Sequence, residues 1–344
     1  MKTQVLPVTS ESIALAAALL KRGAVVAFPT ETVYGLGANG LDGAAVEGIF
    51  RAKDRPVDNP LILHVSEPAQ VAPLVRGIPE VASRLMEAFW PGPLTIVLPA
   101  AGIVPPQTRG GLPTVGVRCP ASPAARALIA ACVFPLAAPS ANRSGRPSPT
   151  SAADVLADME GRIPLILDGG PCAVGVESTV VSITGGLPRV LRPGFVTAED
   201  IAAVCGGADV DPAALQELEP GAQAASPGMK YRHYAPRARL TVVTGSDAAV
   251  CARIAALYDR SLAEGGNPAV LCLRGGALAY GRRVVYDLGG TPQTAAENLF
   301  AALRRLDADG RSEAFAEGVE PQGVGLAVMN RLLRSAGFRV VAAD

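Results

Sequence analysis

The chain has 344 residues, and its 31 Lys plus Arg are balanced by 31 Asp plus Glu. Zero net charge argues against an electrostatic binder of nucleic acid or anionic membrane, which carries a basic excess, and aromatics at 4% disfavour a base-stacking single-strand binder. Hydrophobic residues at 49% allow a large core and exclude global disorder, and a length beyond about 250–300 residues predicts two domains.

In chain order, Ser10 to Lys21 reads as a helix, capped by Thr9 or Ser10 and stopped at Gly23. Ala24 to Phe28 is a short apolar run expected as a buried strand. Gly43 to Lys53 reads as a helix after Asp42, Leu61 to Val65 as a strand and Pro79 to Phe89 as a helix. Leu94 to Leu98, Val115 to Arg118, Leu165 to Leu167 and Thr179 to Ile183 are further strands; Ala124 to Ala131 and Ala152 to Met159 are further helices. Thr197-x-x-Asp200 has a helix-capping pattern. Short strands alternating with Ala-rich helices predict an α/β or α+β domain on a twisted sheet.

From Gly206 to Arg237 periodicity fades among Pro212, Pro220, Pro227 and Pro236, as in a linker. Beyond it, strands are expected at Leu240 to Val243, Ala269 to Leu273 and Arg283 to Leu288. Helices are expected at Asp247 to Ala263, Pro292 to Leu306 and Gly325 to Ser335. The expected domains are therefore 1–205, a linker at 206–238 and a small α/β unit at 239–344.

No apolar run approaches the roughly 18–20 residues of a membrane span, and Ile13 to Leu20 lacks the basic flank of a signal peptide. The six Cys contain no Cys-x-x-Cys pair, so zinc-finger and thioredoxin motifs are excluded. Reduced thiols in a cytoplasm are expected.

Five constellations could carry chemistry. Lys53 and Arg55 stand where a helix ends before Pro56; they either complement the helix dipole or converge on one anion through the turn. Asn59-Pro60 then leads into a strand ending at His64. In Pro29-Thr-Glu-Thr-Val-Tyr-Gly-Leu-Gly37, Thr30 and Thr32 share parity and either cap a turn or bind a polar ligand. Gly35, Gly37 and Gly40 spell G-x-G-x-x-G but do not open a tight strand-to-helix turn, and no Gly-Lys dipeptide exists for a Walker loop. Ala137 to Ser148 leaves an apolar strand for a loop with Ser140, Asn142, Arg143, Ser144, Arg146 and Ser148, suited to phosphate contacts or to plain solvation. Arg118, inside a Val-rich strand that begins near Thr114, needs a partner for its charge and has the fork that matches a carboxylate. Glu177-Ser-Thr179 and Arg192-Pro-Gly194 accompany it. Finally, Lys230, Tyr231, Arg232, His233 and Tyr234 cluster in the linker.

Together these stretches resemble the threonylcarbamoyl-AMP synthase family in its long form, a YrdC-like domain followed by a C-terminal domain. The resemblance is carried by Phe28-Pro-Thr-Glu-Thr-Val-Tyr-Gly-Leu-Gly37, Lys53-x-Arg55, Asn59-Pro-Leu61, Pro139-Ser-Ala-Asn142, Ser178-Thr-Val-Val181, Arg192-Pro-Gly194 and Ser226-Pro-Gly-Met-Lys-Tyr-Arg-His-Tyr-Ala-Pro236, in the family's order. It implies an α/β fold in which a twisted mixed sheet and its helices form a concave cavity, then a linker and a smaller Rossmann-like domain. It implies L-threonine, bicarbonate or CO2, and ATP as substrates. It implies threonylcarbamoyl-AMP and pyrophosphate as products, and a separate transferase that uses the adenylate to modify tRNA.

Carried over residue by residue, the resemblance implies threonine binding by Thr32, His64, Arg118, Ala138 and Ser178, with Arg118 on the carboxylate. It implies ATP binding by Arg55, Asn59, Thr114, Ser140, Ser148, Arg192 and Tyr234, catalytic roles for Lys53 and Arg55, and a linker that closes over the nucleotide. Mg2+ is expected to enter with ATP, held mainly by phosphates. A carbamoyl-transfer enzyme of the hydrogenase-maturation type is a rival, though its zinc-finger Cys pairs and acylphosphatase module are not visible. A non-enzymatic double-stranded RNA binder or ribosome-assembly factor is another, disfavoured by neutral charge.

Overall fold

A computed structural model describes residues 2–216 and 234–344, so most of the Ser226 to Pro236 motif lies outside the described residues. The chain divides into two compact units, one built from residues 2–144 and 148–214 and the other from 234 onward.

The first unit contains strands β1 (Gln4–Pro7), β2 (Val26–Phe28), β3 (Gly35–Asn39), β4 (Ile62–His64), β5 (Leu94–Pro99), β6 (Thr114–Arg118), β7 (Leu136–Ala137), β8 (Leu165–Asp168), β9 (Thr179–Ser182), β10 (Arg189–Arg192) and β11 (Asp209–Val210). They form one mixed sheet in the order β1-β8-β2-β3-β7-β4-β6-β5-β9-β10-β11. Strand parity sorts the side chains. Ala27, Leu63, Ile96, Leu98, Val115, Val117 and Val181 join one core, packed under residues such as Ile49 and Phe50 of helix Gly43–Lys53 and Leu85 of helix Glu80–Phe89. On the opposite face, helices Ser10–Lys21 and Pro123–Cys132 cover only the β1–β7 end, where Leu20, Leu128 and Ile129 meet Val26, Phe28, Leu136 and Leu165. Among the described residues of this unit, no such helical layer covers that face past β7. It holds a small cluster of Ile62, Val97, Val180, Leu191 and Ala213. Thr114, Gly116 and Arg118 share it by parity.

The second unit is a parallel sheet of β12 (Arg239–Thr244), β13 (Pro268–Cys272), β14 (Val285–Asp287), β15 (Glu313–Glu317) and β16 (Val340–Ala342), ordered β14-β13-β15-β12-β16. Helices Asp247–Ala263, Pro292–Ala308 and Val324–Ala336 connect its strands. The buried Glu317 ties the strand ends together, accepting bonds from Leu273 N at 2.7 Å, Arg274 N at 2.8 Å and the Tyr280 hydroxyl at 2.7 Å.

The expected helices are present; Asp247–Ala263 and Ala152–Met159 start and end where the periodicity places them. Strands β1, β3, β10, β11, β15 and β16 are not legible in the sequence. β3 reads Gly-Leu-Gly-Ala-Asn and looks like a loop. Its glycines make room for a ring: a Cβ at Gly37 would lie 2.8 Å from Phe28, and one at Gly35 3.0 Å from it. The G-x-G-x-x-G pattern is thus a packing device, with Gly40 likewise pressed against Leu63, where a Cβ would lie 2.3 Å from a methyl. β11, in the stretch read as linker, pairs with β10 and extends the first sheet. No helix among the described residues is long and apolar enough to cross a membrane, and all six cysteines are unpaired thiols.

Candidate active site

The candidate site starts on this face where β4 and β6 end side by side. His64 and Arg118 are register partners in this parallel pair. Arg118 is 4% exposed, and three elements hold its guanidinium. Nη2 donates to Glu31 Oε1 at 2.6 Å, Nη1 to Thr32 Oγ1 at 2.9 Å and Nε to the Gly92 carbonyl at 3.3 Å. Thr30 donates its only hydroxyl proton to the Val33 carbonyl at 2.6 Å, so the 2.8 Å contact between the two threonines runs from Thr32 to Thr30. The Thr32 oxygen therefore faces Arg118 as an acceptor. Burial works to raise the Glu31 pKa, but the charge and hydrogen bond of Arg118 outweigh it and hold the carboxyl below its usual value.

His64 lies edge-on to Phe28, with ring centroids 6.3 Å apart. Burial first, and the Arg118 charge second, push its pKa down to about 3. The ring is therefore neutral. Its Nδ1 meets the Ile62 carbonyl at 3.2 Å, and that carbonyl also accepts from Ala138 N at 3.0 Å. Ala138 is thus fixed beside the ring.

A second cluster lies across β5. The Thr95 and Ser178 hydroxyls are 2.8 Å apart. Arg192 Nη2 donates to the Ser178 carbonyl at 3.0 Å and to its Oγ at 3.1 Å, and Nε donates to the carbonyl at 3.1 Å. Gly194 is what permits this approach: a Cβ there would lie 2.4 Å from Thr179 N. Next to Ser178, the buried Glu177 accepts from Ser148 Oγ at 2.5 Å. Gly116, between Thr114 and Arg118 on β6, leaves space that Thr95 fills, because a Cβ there would meet the Thr95 methyl at 3.0 Å.

The loop after β7 is pinned from below. Lys53, 1% exposed, donates Nζ to the Ser140 and Asn142 carbonyls, and Ser144 N donates back to the Lys53 carbonyl at 2.9 Å. Ser140 Oγ donates to Asn142 Oδ1 at 2.5 Å. Arg55 Nη2 reaches the Pro60 carbonyl at 3.2 Å. Asn59 is 2% exposed and its Oδ1 finds no partner among the described residues. Pro60 and Thr114 line one small pocket. Thr114 also floors a cleft of about 590 Å3 with Val97, Ser182, Thr184 and Arg189, a size in the range of small-molecule sites.

Residues 18–194 match the family model described as Telomere recombination (Sua5, YciO and YrdC). Residues 196–337 match the Threonylcarbamoyl-AMP synthase, C-terminal domain. The threonylcarbamoyl-AMP synthase of Pyrococcus abyssi is 48% identical over 329 residues, covering 96% of this chain and 95% of that protein. This chain belongs to the threonylcarbamoyl-AMP synthase family. The Bacillus subtilis synthase is 46% identical, with 98% and 97% covered. The crystal structure of P. abyssi Sua5 complexed with L-threonine superposes with a TM-score of 0.93 at 46% identity, over 99% of this chain and 98% of that one. The two-domain α/β fold expected from the resemblance is the fold found, and the family is one of enzymes.

The sequence-predicted residues of this synthase-family chain fall into neighbouring groups. Thr32, His64, Arg118 and Ala138 share the β4–β6–β7 end; Ser178 and Arg192 share the β5–β9–β10 side; Lys53 and Ser140 share one loop anchor. Tyr234 belongs to the second unit, where its ring lies 5.1 Å from that of Phe300 and 6.0 Å from the Arg331 guanidinium. Glu31, Thr95 and Gly116 are not singled out by the sequence, and Glu177 is named there only beside Ser178. Glu31 stands inside a quoted motif, but parity in an extended chain turned it away from Thr30 and Thr32. The chain bends there instead, and the unpaired charge of Arg118 was the signal for it.

Proposed function

We propose that the chain is an L-threonylcarbamoyladenylate synthase, a nucleotidyltransferase that makes threonylcarbamoyl-AMP and pyrophosphate from L-threonine, bicarbonate or CO2, and ATP. One observation carries this reading. A buried guanidinium–hydroxyl pair, Arg118 with Thr32, shares a sheet face with a cleft of about 590 Å3 at Thr114. Thr114 and Arg118 are four residues apart on one strand, about 13 Å at 3.3 Å per residue. Two small substrates bound at those ends lie side by side.

The chemistry asks little covalent work of the protein. The threonine ammonium gives one proton to solvent; its nitrogen then bonds to the CO2 carbon as one C=O π pair moves onto oxygen, and loss of a second proton to solvent leaves the carbamate. A carbamate oxygen then bonds to the α-phosphorus as the bond to pyrophosphate breaks. Positioning and charge neutralisation dominate such a transfer. On this reading Arg118 and Thr32 take the threonine carboxylate, while His64, Ala138 and Ser178 shape the rest of that pocket. The neutral imidazole adds no competing cation. Arg55, Asn59, Thr114, Ser140, Ser148 and Arg192 take the nucleotide, and the unpartnered Asn59 Oδ1 suits an amino-group donor. Lys53 sets the Ser140 loop and brings its charge beside the phosphates. Tyr234 is assigned to the nucleotide by the resemblance alone.

Mg2+ enters as part of the nucleotide. The donors here are guanidinium, ammonium and hydroxyl groups, which suit the phosphate side of a Mg–ATP complex rather than the metal, and phosphates are the usual ligands of Mg2+. The product passes to a separate tRNA-modifying transferase, a handover suited to the cytoplasm. A non-enzymatic double-stranded RNA-binding role is not favoured, since the relatives are named as synthases. Pyrophosphate release with ATP, threonine and bicarbonate, each omitted in turn, tests the proposal; release that ignores threonine would overturn it.

A further inference from the structure

We infer that Glu31 is a positioning residue that aims Arg118 at the amino-acid carboxylate, an inference that rests on the reading of Arg118 given above. Both Glu31 oxygens are fixed. Oε1 meets Arg118 Nη2 at 2.6 Å, and Oε2 accepts from Ser122 N at 3.2 Å. Ser122 caps helix Pro123–Cys132, and its hydroxyl reaches back to the Pro29 carbonyl at 3.2 Å. The carboxylate is thereby clamped between the β2 turn and a helix start, with 13% of its side chain exposed.

A guanidinium offers five N–H groups. In Arg118 one each from Nε, Nη1 and Nη2 is held by Gly92, Thr32 and Glu31. One N–H on each terminal nitrogen is left over among the described residues, the two donors a carboxylate needs for a bidentate contact. Glu31 supplies the only charged contact of the three, so it sets the tilt of the guanidinium plane. It also makes the free site an ion pair rather than a bare cation, which suits a zwitterionic amino acid over a simple anion.

The test is the steady-state kinetics of full-length Glu31→Gln and Glu31→Ala, with threonine and ATP varied separately, alongside threonine binding by calorimetry. Glu31→Gln keeps the shape and one acceptor, so it covers the case in which Glu31→Ala fails to fold. The expected result is a threonine KM raised about tenfold or more in a folded variant, an ATP KM within about twofold, and Glu31→Gln milder than Glu31→Ala. A merely structural role would lower kcat and raise both KM values together, or reduce thermal stability alone; either pattern would overturn the inference. Wild-type turnover with an unchanged threonine KM in Glu31→Gln sinks this inference only. Wild-type protein that neither binds threonine nor releases pyrophosphate sinks the functional reading with it.

Discussion

His64 and Arg118 face each other across the parallel β4–β6 pair, so the imidazole is buried against a fixed positive charge. Those two causes, burial first, push its pKa down to about 3 from 6.5. The unfolded chain therefore binds a proton at His64 that the folded chain refuses. The stability carried by the neutral ring is full above pH 6.5 and drains as pH falls toward 3. Glu31 also loses stability in acid, but only below its ordinary 4.5, because its pKa is lowered from there. Urea unfolding between pH 6.5 and 4.5 should show a slope of up to about 1.4 kcal/mol per pH unit, and His64→Gln should flatten it. A variant with the wild-type slope would remove His64 as the cause.

Arg118→Ala should weaken threonine binding by about 2–3 kcal/mol, the scale of a charge-assisted contact, or about 30- to 150-fold. It also strands the Glu31 carboxylate in a buried site, so stability should fall by about 3–5 kcal/mol. Arg118→Met combined with Glu31→Gln removes both charges and should recover much of the stability without recovering threonine binding. An unchanged threonine KM in Arg118→Ala would count against the assignment.

Lys53→Met keeps the buried stem and removes the ammonium from the Ser140 and Asn142 carbonyls. Those carbonyls then lose a charged donor, a cost of about 1–3 kcal/mol. The Ser140 loop should loosen, so the ATP KM should rise more than the threonine KM, with a lower Tm. Wild-type Tm in this variant would show that the loop needs no pin.

Much of this was legible in the sequence because apolar periodicity is local. Helix Asp247–Ala263 and strand β5 follow from their own residues. Strand β3 was not legible, since its glycines answer to the Phe28 ring, which a sequence window cannot show. The site divides in the same way. Arg118 announced itself as a charge among valines, but its partner Glu31 comes from a turn 87 residues away. Thr95 sat unnoticed in an apolar run, because only the packed sheet brings it to Ser178. The roles of Lys53 and Gly194 are likewise set by what lies opposite them rather than beside them in the chain.

Gly194 shows how narrow the tolerance is. It follows Arg192, whose guanidinium wraps the Ser178 carbonyl. A methyl added at Gly194 would lie 2.4 Å from Thr179 N, 2.6 Å from Thr179 Oγ1 and 2.8 Å from the Ser178 carbonyl carbon. Two of these three are backbone atoms, which cannot rotate away as a side chain can, so β9 and the β10 exit must separate. Gly194→Ala should therefore cost about 1–3 kcal/mol, the usual range for overpacking. Ser178 and Arg192 serve different substrates on the proposed reading, so both the threonine KM and the ATP KM should rise together, unlike the selective effects at Glu31 and Lys53. Thermal unfolding and two-substrate kinetics on the same preparation check this, and a variant with either KM unchanged would show that the strand ends move independently.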